Sequence, residues 1–447
     1  MRLVTECFEA MNRKTFVALV FCALMQPALF AENWPQWRGP FLNGSTTEQK
    51  LPDTWTTTEN VLWATPMPGP SHATPAVWGN NVFVTSPDAD KNLWVLCVNR
   101  KDGKVRWIQQ VGTGDKTIGR NNMASPSPVT DGKTVWVMFG TGDLAAYDFS
   151  GKQLWARNIC KESGKFSIMW IYGSSPLLYK DRLYIEVLQQ NPVPSGYSHV
   201  LDGKPTRESF LLCVDPKTGK DIWKHVRPSD AIGESQEAYS TPIPSEVHGK
   251  TEIVLVGADY VTGHDAKDGT ELWRGGGLNN SQRRRDFRLV PSALLAKGLV
   301  IVSGPKRMPV LAYKDGGKGD ITQSGLAWTY KDYPTDCVTP LLYQDKIFVL
   351  DGDKQMMSCL EPESGKVLWQ QSLGVRHVFR ASPTGADGKL YCFSEHATAV
   401  VMDAKDGHVI SKAVMEQGAE STHATIAASQ GCLFIRGAKN LYCIGKK

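Results

Sequence analysis

Cys213-Val-Asp-Pro-Lys-Thr-Gly-Lys-Asp-Ile-Trp223 decides the fold, because close copies of it recur as Cys359-Leu-Glu-Pro-Glu-Ser-Gly-Lys-Val-Leu-Trp369 and Gly263-His-Asp-Ala-Lys-Asp-Gly-Thr-Glu-Leu-Trp273. Cys97 to Trp107 and, one residue shorter, Ala146 to Trp155 match the same pattern. Each copy reads as a strand ending small-apolar-Asp, a glycine turn, and a second strand carrying Trp. The tryptophans at 63, 107, 155, 223, 273, 328 and 369 stand about 51 residues apart on average. That period is long for a helical or leucine-rich repeat and suits a unit of four strands.

A first half recurs with the same period: Ala73-Thr74-Pro75, Ala124-Ser125-Pro126, Ser174-Ser175-Pro176, Ser240-Thr241-Pro242, Val338-Thr339-Pro340 and Ala381-Ser382-Pro383, with Pro291-Ser292 and Thr425-Ile426 as degraded copies. Each precedes an alternating apolar hairpin such as Pro176 to Ile185. Proline at the head of a strand costs no ladder hydrogen bond. Gly103, Gly151, Gly219, Gly269, Gly365 and Gly407 fall in the turn between third and fourth strands, where a positive φ is needed.

Eight starts predict an all-β, eight-bladed propeller of four-stranded antiparallel blades. The eighth start, at Thr425, runs to Ile444 without a Trp strand, whereas Val61-Leu62-Trp63 is a Trp strand with no blade before it. The N-terminal strand is therefore expected to complete blade eight and close the ring. Blade seven carries Ser411 where Trp is expected, and blade five is stretched by a glycine-rich loop between Ala312 and Trp328.

A net charge of +5, well interspersed, argues against nucleic acid as the main partner. Residues 11–31 combine a basic start, an apolar run and Ala31, which reads as an export signal with Met11 as the true start, so 32–59 is an N-terminal segment and 60–447 the ring. No transmembrane span is expected after cleavage, and the product is expected to be a monomer in the periplasm or outside the cell. Of the eight mature cysteines, Cys97, Cys213, Cys359 and Cys443 occupy the position of Ala146, Gly263, Ala312 and Val401. They are expected to be buried free thiols in separate blades, too far apart to bridge one another. The pairing of Cys160, Cys337, Cys392 and Cys432 is left open.

A blade of small-x-Asp-x-x-Thr-Gly-Lys-x-x-Trp is the tryptophan-docking motif of the PQQ-type propellers, so the chain resembles the PQQ-like repeat superfamily over about residues 60 to 447. That superfamily includes quinoprotein dehydrogenases and BamB-type outer-membrane assembly proteins, and Trp34-Pro-Gln-Trp-Arg-Gly-Pro40 resembles the start of many of its secreted bacterial members. The resemblance makes the repeat tryptophans structural. Dehydrogenase chemistry would bring an adjacent-cysteine disulfide over the quinone and Glu, Asn and Asp around calcium. This sequence has no Cys-Cys pair and no acid that aligns with those ligands. It also lacks the lipidated N-terminal cysteine of BamB.

Ligands of propellers bind where one loop per blade converges on the channel mouth. Three residues before each proline the ring reads His72, Met123, Gly173, Tyr239, Leu289, Cys337, Arg380 and His423. One residue earlier it reads Ser71, Asn122, Tyr172, Ala238, Arg288, Asp336, Phe379 and Thr422. The candidate site is His72, Tyr239, Arg288, Arg380 and His423, a cationic and aromatic funnel for a small anionic or aromatic ligand; the plain alternative is that the histidines only brace the wall. Arg283-Arg284-Arg285-Asp286-Phe287-Arg288 is a basic run that either holds an acidic partner or is a solvated loop. The insertion Gln189 to Ser209 is either a recognition loop or a tolerated insertion. The reading is an exported, non-catalytic propeller that binds or scaffolds in the cell envelope, its partner a cell-envelope protein or a small anionic or aromatic ligand. The alternative function is a quinoprotein oxidoreductase with PQQ and calcium at the mouth formed by His72, Arg380 and His423.

Overall fold

The computed structural model describes residues 32–279, 287–418 and 421–446. The export signal at 1–31 and the run Arg283 to Asp286 lie outside the described residues. The regular structure of the rest is almost entirely strand: eight sheets radiate around one channel, each running from an inner strand to an outer one. Blade one is Ala76–Trp78, Asn81–Pro87, Asn92–Asn99 and Val105–Thr113, all antiparallel. Blade eight takes its outer strand from the other end of the chain, Val61–Pro66 pairing antiparallel with Asn440–Gly445.

The repeat motif has a direct geometric reason. In the pairing of third and outer strands, Cys97, Ala146, Cys213, Ala312 and Cys359 stand opposite Trp107, Trp155, Trp223, Trp328 and Trp369. Gly263 does the same for Trp273, and a β-carbon there would lie 2.1 Å from the indole nitrogen. Only a small residue fits beneath the ring. The indole then reaches the next blade: the N–H of Trp63 donates to Arg100 O, that of Trp107 to Phe149 O, that of Trp155 to Pro216 O and that of Trp328 to Pro362 O, at 2.8–3.0 Å. All eight cysteines at 97–443 are free thiols.

The turn glycine of one blade lies flat on the tryptophan of the blade before it. Gly219 has φ +72°, and a β-carbon there would sit 2.6 Å from the Trp155 ring. Gly219→Ala therefore meets both a left-handed backbone and a blocked contact, and we expect a loss of about 2–4 kcal/mol in chemical denaturation, mostly as faster unfolding. A loss under about 0.5 kcal/mol would mean that the blades do not depend on this contact.

A second belt ties the inner strands. The backbone N–H of Thr74 donates to Ser127 Oγ, that of Ser175 to Thr241 Oγ1 and that of Thr425 to Thr74 Oγ1, and seven such bonds run around the channel. This belt corrects the sequence register in two blades. Ser127, not Ser125, is the belt hydroxyl of blade two, because the first strand begins after Pro128; in blade five Ser292 holds that place.

Residues 32–59 are part of the ring. Trp34 is fully buried and bridges Val77, Gly44 and Thr46 exchange backbone bonds with Gly385, and the Asn43 carbonyl accepts from Leu342. Arg38, 1% exposed, donates to the carbonyls of Pro340 and Pro383 beneath the channel, and burial pushes its pKa down to about 9. The missing tryptophan of blade seven is supplied by this segment. Trp55, buried, stacks on Tyr391 with centroids 6.5 Å apart, much as Trp369 lies 5.8 Å from Phe348 in blade six. The Ser411 hydroxyl, in the vacated position opposite Val401, donates to the Asp53 carbonyl.

Blade four departs from the repeat in the other direction. The glycine-rich loop belongs to blade five in sequence, but its Gly319–Asp320 adds a parallel fifth strand outside Glu271–Gly275.

Candidate functional site

Because the segment 34–45 lies across the far ends of the inner strands, the channel is a cup with one mouth. Its cavity has a volume of about 600 Å³, with Trp37 at the floor, belt hydroxyls such as Ser175 and Thr339 in the wall, and charged side chains toward the mouth. All five candidate residues, His72, Tyr239, Arg288, Arg380 and His423, line it. Two ring positions need correction: the cavity is lined by Ser125 rather than Met123 and by Val290 rather than Leu289, as the belt register requires. The position one residue earlier does not form a funnel. Tyr172, Phe379 and Thr422 are at most 1% exposed, because successive strand residues face opposite sides and theirs face into the blades. Asp336 and Arg288 are the members of that set that reach the cavity.

On the side of blades seven, eight and one, the rings of His72 and His423 stack with centroids 4.5 Å apart. Burial, then the neighbouring His423 and Arg436, keeps the His72 pKa well below its ordinary value; burial lowers that of His423 against the opposing pull of Glu395. Both shifts favour the neutral imidazole, and among the described residues His72 Nδ1 is buried without a partner. Sequence reasoning missed Glu395, which organises this side. It lies 2.7 Å from Arg120, 3.5 Å from His423 and 3.7 Å from Arg380. Burial would raise its pKa, but His423 and the two arginines outweigh that and hold it below the usual value. No motif marks it, because it comes from the turn after the second strand of blade seven.

The side of blades three to six is built differently. The Tyr239 hydroxyl donates to Glu237 at 2.8 Å, and the Trp170 indole N–H donates to Glu234 at 3.0 Å. Burial pushes the Glu237 pKa up to about 7. The insertion Gln189 to Ser209 packs on this wall: Gln190 and Tyr197 both donate to Glu237, and His199 Nε2 contacts the Ile168 carbonyl. Arg288 faces Asp336 at 3.5 Å and Glu234 at 3.6 Å, a loose pairing for a side chain only 14% exposed. Lys306 stands 5.5 Å from the Phe287 ring. Cys337 is in this wall with its thiol pKa pushed up to about 12 by burial, so it is protonated and a poor nucleophile.

The family model described as Outer membrane protein assembly factor BamB matches residues 46–169 and 327–439, more than half of the chain. The chain belongs to the BamB family. The match covers the blades that bring His72, Arg380, His423 and Glu395; Tyr239, Arg288 and the insertion lie in the unmatched blades. Among solved structures, BamB from Moraxella catarrhalis superposes with a TM-score of 0.59 at 10% identity, over 86% of this chain and 99% of that one. The quinohemoprotein alcohol dehydrogenase of Comamonas testosteroni gives 0.63 at 11% identity, over 93% and 81%, and a europium-containing methanol dehydrogenase 0.52 at 11%, over 92% and 90%. At these identities the likeness is one of fold. No curated protein matches the chain.

Whether this BamB-family cup would hold a calcium-bound quinone turns on its donors. Calcium takes six to eight oxygens, but Glu234, Asp336 and Glu395 each face an arginine. Cys337 is the wall cysteine and has no neighbouring cysteine in sequence to form a cover. Among the described residues the cluster with metal-ligand spacing is Asp403, Asp406 and His408, on a turn away from the cup. These residues do not fit that centre. No helix among the described residues is long and apolar enough to cross a membrane.

Proposed function

We propose that this protein is an exported, non-catalytic binding propeller of the cell envelope, whose central cup holds a small anionic aromatic molecule. The observation that carries the reading is the cavity lining itself, where Arg120, Arg288, Lys306 and Arg380 stand with Trp37, Trp170 and Tyr239 around one space. Among the described residues the ion pairs of Arg288 are 3.5 Å and longer, so an entering carboxylate or sulfonate gains short charge-assisted bonds against a loose pairing. Trp170 and Tyr239, each fixed by a glutamate, offer flat faces for an aromatic body. Envelope placement is supported by the export signal read at 11–31 and by the described role of the matching family.

The test is a fluorescence titration with 8-anilinonaphthalene-1-sulfonate, with benzene-1,3,5-tricarboxylate as competitor. We expect one saturable site that weakens at least tenfold in Arg288→Gln, equivalent to about 1.4 kcal/mol, and that also weakens as salt rises. Binding that ignores Arg288→Gln and salt, or no binding, sinks the reading. A parallel arm adds PQQ and calcium: dye reduction with an alcohol would replace the non-catalytic reading by the dehydrogenase one.

A further inference from the structure

The hairpin that leads into blade two crosses the mouth of the cup. Its strands are Thr117–Ile118 and Asn121–Asn122, paired antiparallel, and its tip is Gly119-Arg120. The tip rests on two opposite walls. On one side Gly119 lies against the face of Trp170, so closely that a β-carbon there would be 2.5 Å from the ring. On the other, Arg120 donates to Glu395 of blade seven at 2.7 Å, spanning blades one and eight. Both Gly119 and Arg120 line the cavity.

The legs of the hairpin are tied to the frame by backbone and buried side-chain hydrogen bonds, whereas its tip is held by Gly119 against Trp170 and by the Arg120–Glu395 pair. The N–H groups of Gly114 and Asp115 both donate to the Lys91 carbonyl, Met123 N–H donates to Asp115 Oδ1, and the buried Asn122 side chain donates to the Pro70 carbonyl. These bonds bracket residues 116–121. The Arg120 side chain is 57% exposed, whereas Glu395 is 6% exposed. If Arg120 leaves, Glu395 still has the Arg380 guanidinium at 3.7 Å, shared with Asp353 at 2.7 Å, and the His423 ring at 3.5 Å, so one cation stays beside the buried carboxylate. An ion pair that can open without orphaning its buried half is a two-state contact of the kind that gates a pocket.

We propose that residues 117–121 of the hairpin are a lid over the cup, latched in the free protein by Arg120 on Glu395, and that Arg120 exchanges this carboxylate for the anionic group of the entering ligand. The lid rests on the reading of the cup as a ligand site. The exchange keeps Arg120 paired in both states, so binding and closure are coupled through one guanidinium.

Amide hydrogen exchange and stopped-flow fluorescence on the full-length protein test it, with Arg120→Gln and Arg120→Lys. Arg120→Gln is expected to speed exchange at 116–121 at least fivefold while other segments stay unchanged, with Arg120→Lys recovering much of the protection. Dissociation of 8-anilinonaphthalene-1-sulfonate is expected to be at least tenfold faster in Arg120→Gln. Unchanged exchange overturns the latch. Faster exchange with unchanged dissociation overturns the lid and leaves only a surface ion pair. If the probe does not bind the wild type, the cup reading fails and the ligand exchange with it, while the exchange data still decide the latch.

Discussion

Trp55→Ala is expected to destabilise the propeller by about 3–5 kcal/mol, as much as loss of a tryptophan from the repeat itself. Trp55 is 5% exposed, stacks on Tyr391 and donates its indole N–H to Met415 Sδ at 3.2 Å. It sits in the largest apolar cluster, which joins blades one, seven and eight at the seam where the two chain ends meet. A hole there opens the ring where it is closed by one strand pairing. The same position supplies a rescue: with Trp55 absent, Ser411→Trp places an indole opposite Val401, where other blades carry theirs. Urea denaturation should show the double variant regaining at least half of the loss. If Ser411→Trp restores nothing, Trp55 is an ordinary core residue and not the substitute for the missing repeat tryptophan.

Trp273→Ala is expected to cost more than the equivalent change at Trp223, about 4–5 kcal/mol against about 3 kcal/mol. Trp273 is 1% exposed because Gly319–Asp320 covers it, and its N–H donates to Glu252 at 2.7 Å within its own blade. Trp223 is less buried, and its indole nitrogen has no partner. Burial already raises the Glu252 pKa and the indole opposes it, so removing the indole leaves a carboxylate that is 6% exposed without its donor. Protonating that carboxylate relieves its burial, so the gap between the two variants should narrow below pH 5. Equal losses at pH 7 would show that the fifth strand does not protect the site.

The blade count and the role of the tryptophans were legible because they are written as a repeat, and a repeat is a local pattern copied at fixed spacing. The five candidate residues were found by the same means, since His72, Tyr239, Arg380 and His423 share one register and Arg288 stands close to it. The register failed in blades two and five. There a second Ser-Pro in Ala124-Ser125-Pro126-Ser127-Pro128, and a reversed Pro291-Ser292, give the same composition at the wrong phase. The belt hydrogen bonds decide the phase, and they join residues about 50 positions apart. Glu395, Arg120 and Trp170 were not legible, because nothing in their neighbourhoods distinguishes them from loop residues.

By itself the sequence determined that this is a ring of eight blades, seven of them pairing a small residue with a tryptophan, closed by the strand at Val61. Opposing each indole with a small residue is a demand of neighbouring strands, and so it appears in every copy. Only the tertiary structure decided that residues 32–59 floor the channel, that Trp55 stands in for the tryptophan replaced by Ser411, and that Arg120 reaches Glu395 over the mouth. The Trp55 and Arg120 contacts join residues 275 or more positions apart. Nothing in local composition encodes them, because they depend on the closed ring to bring both partners to one place.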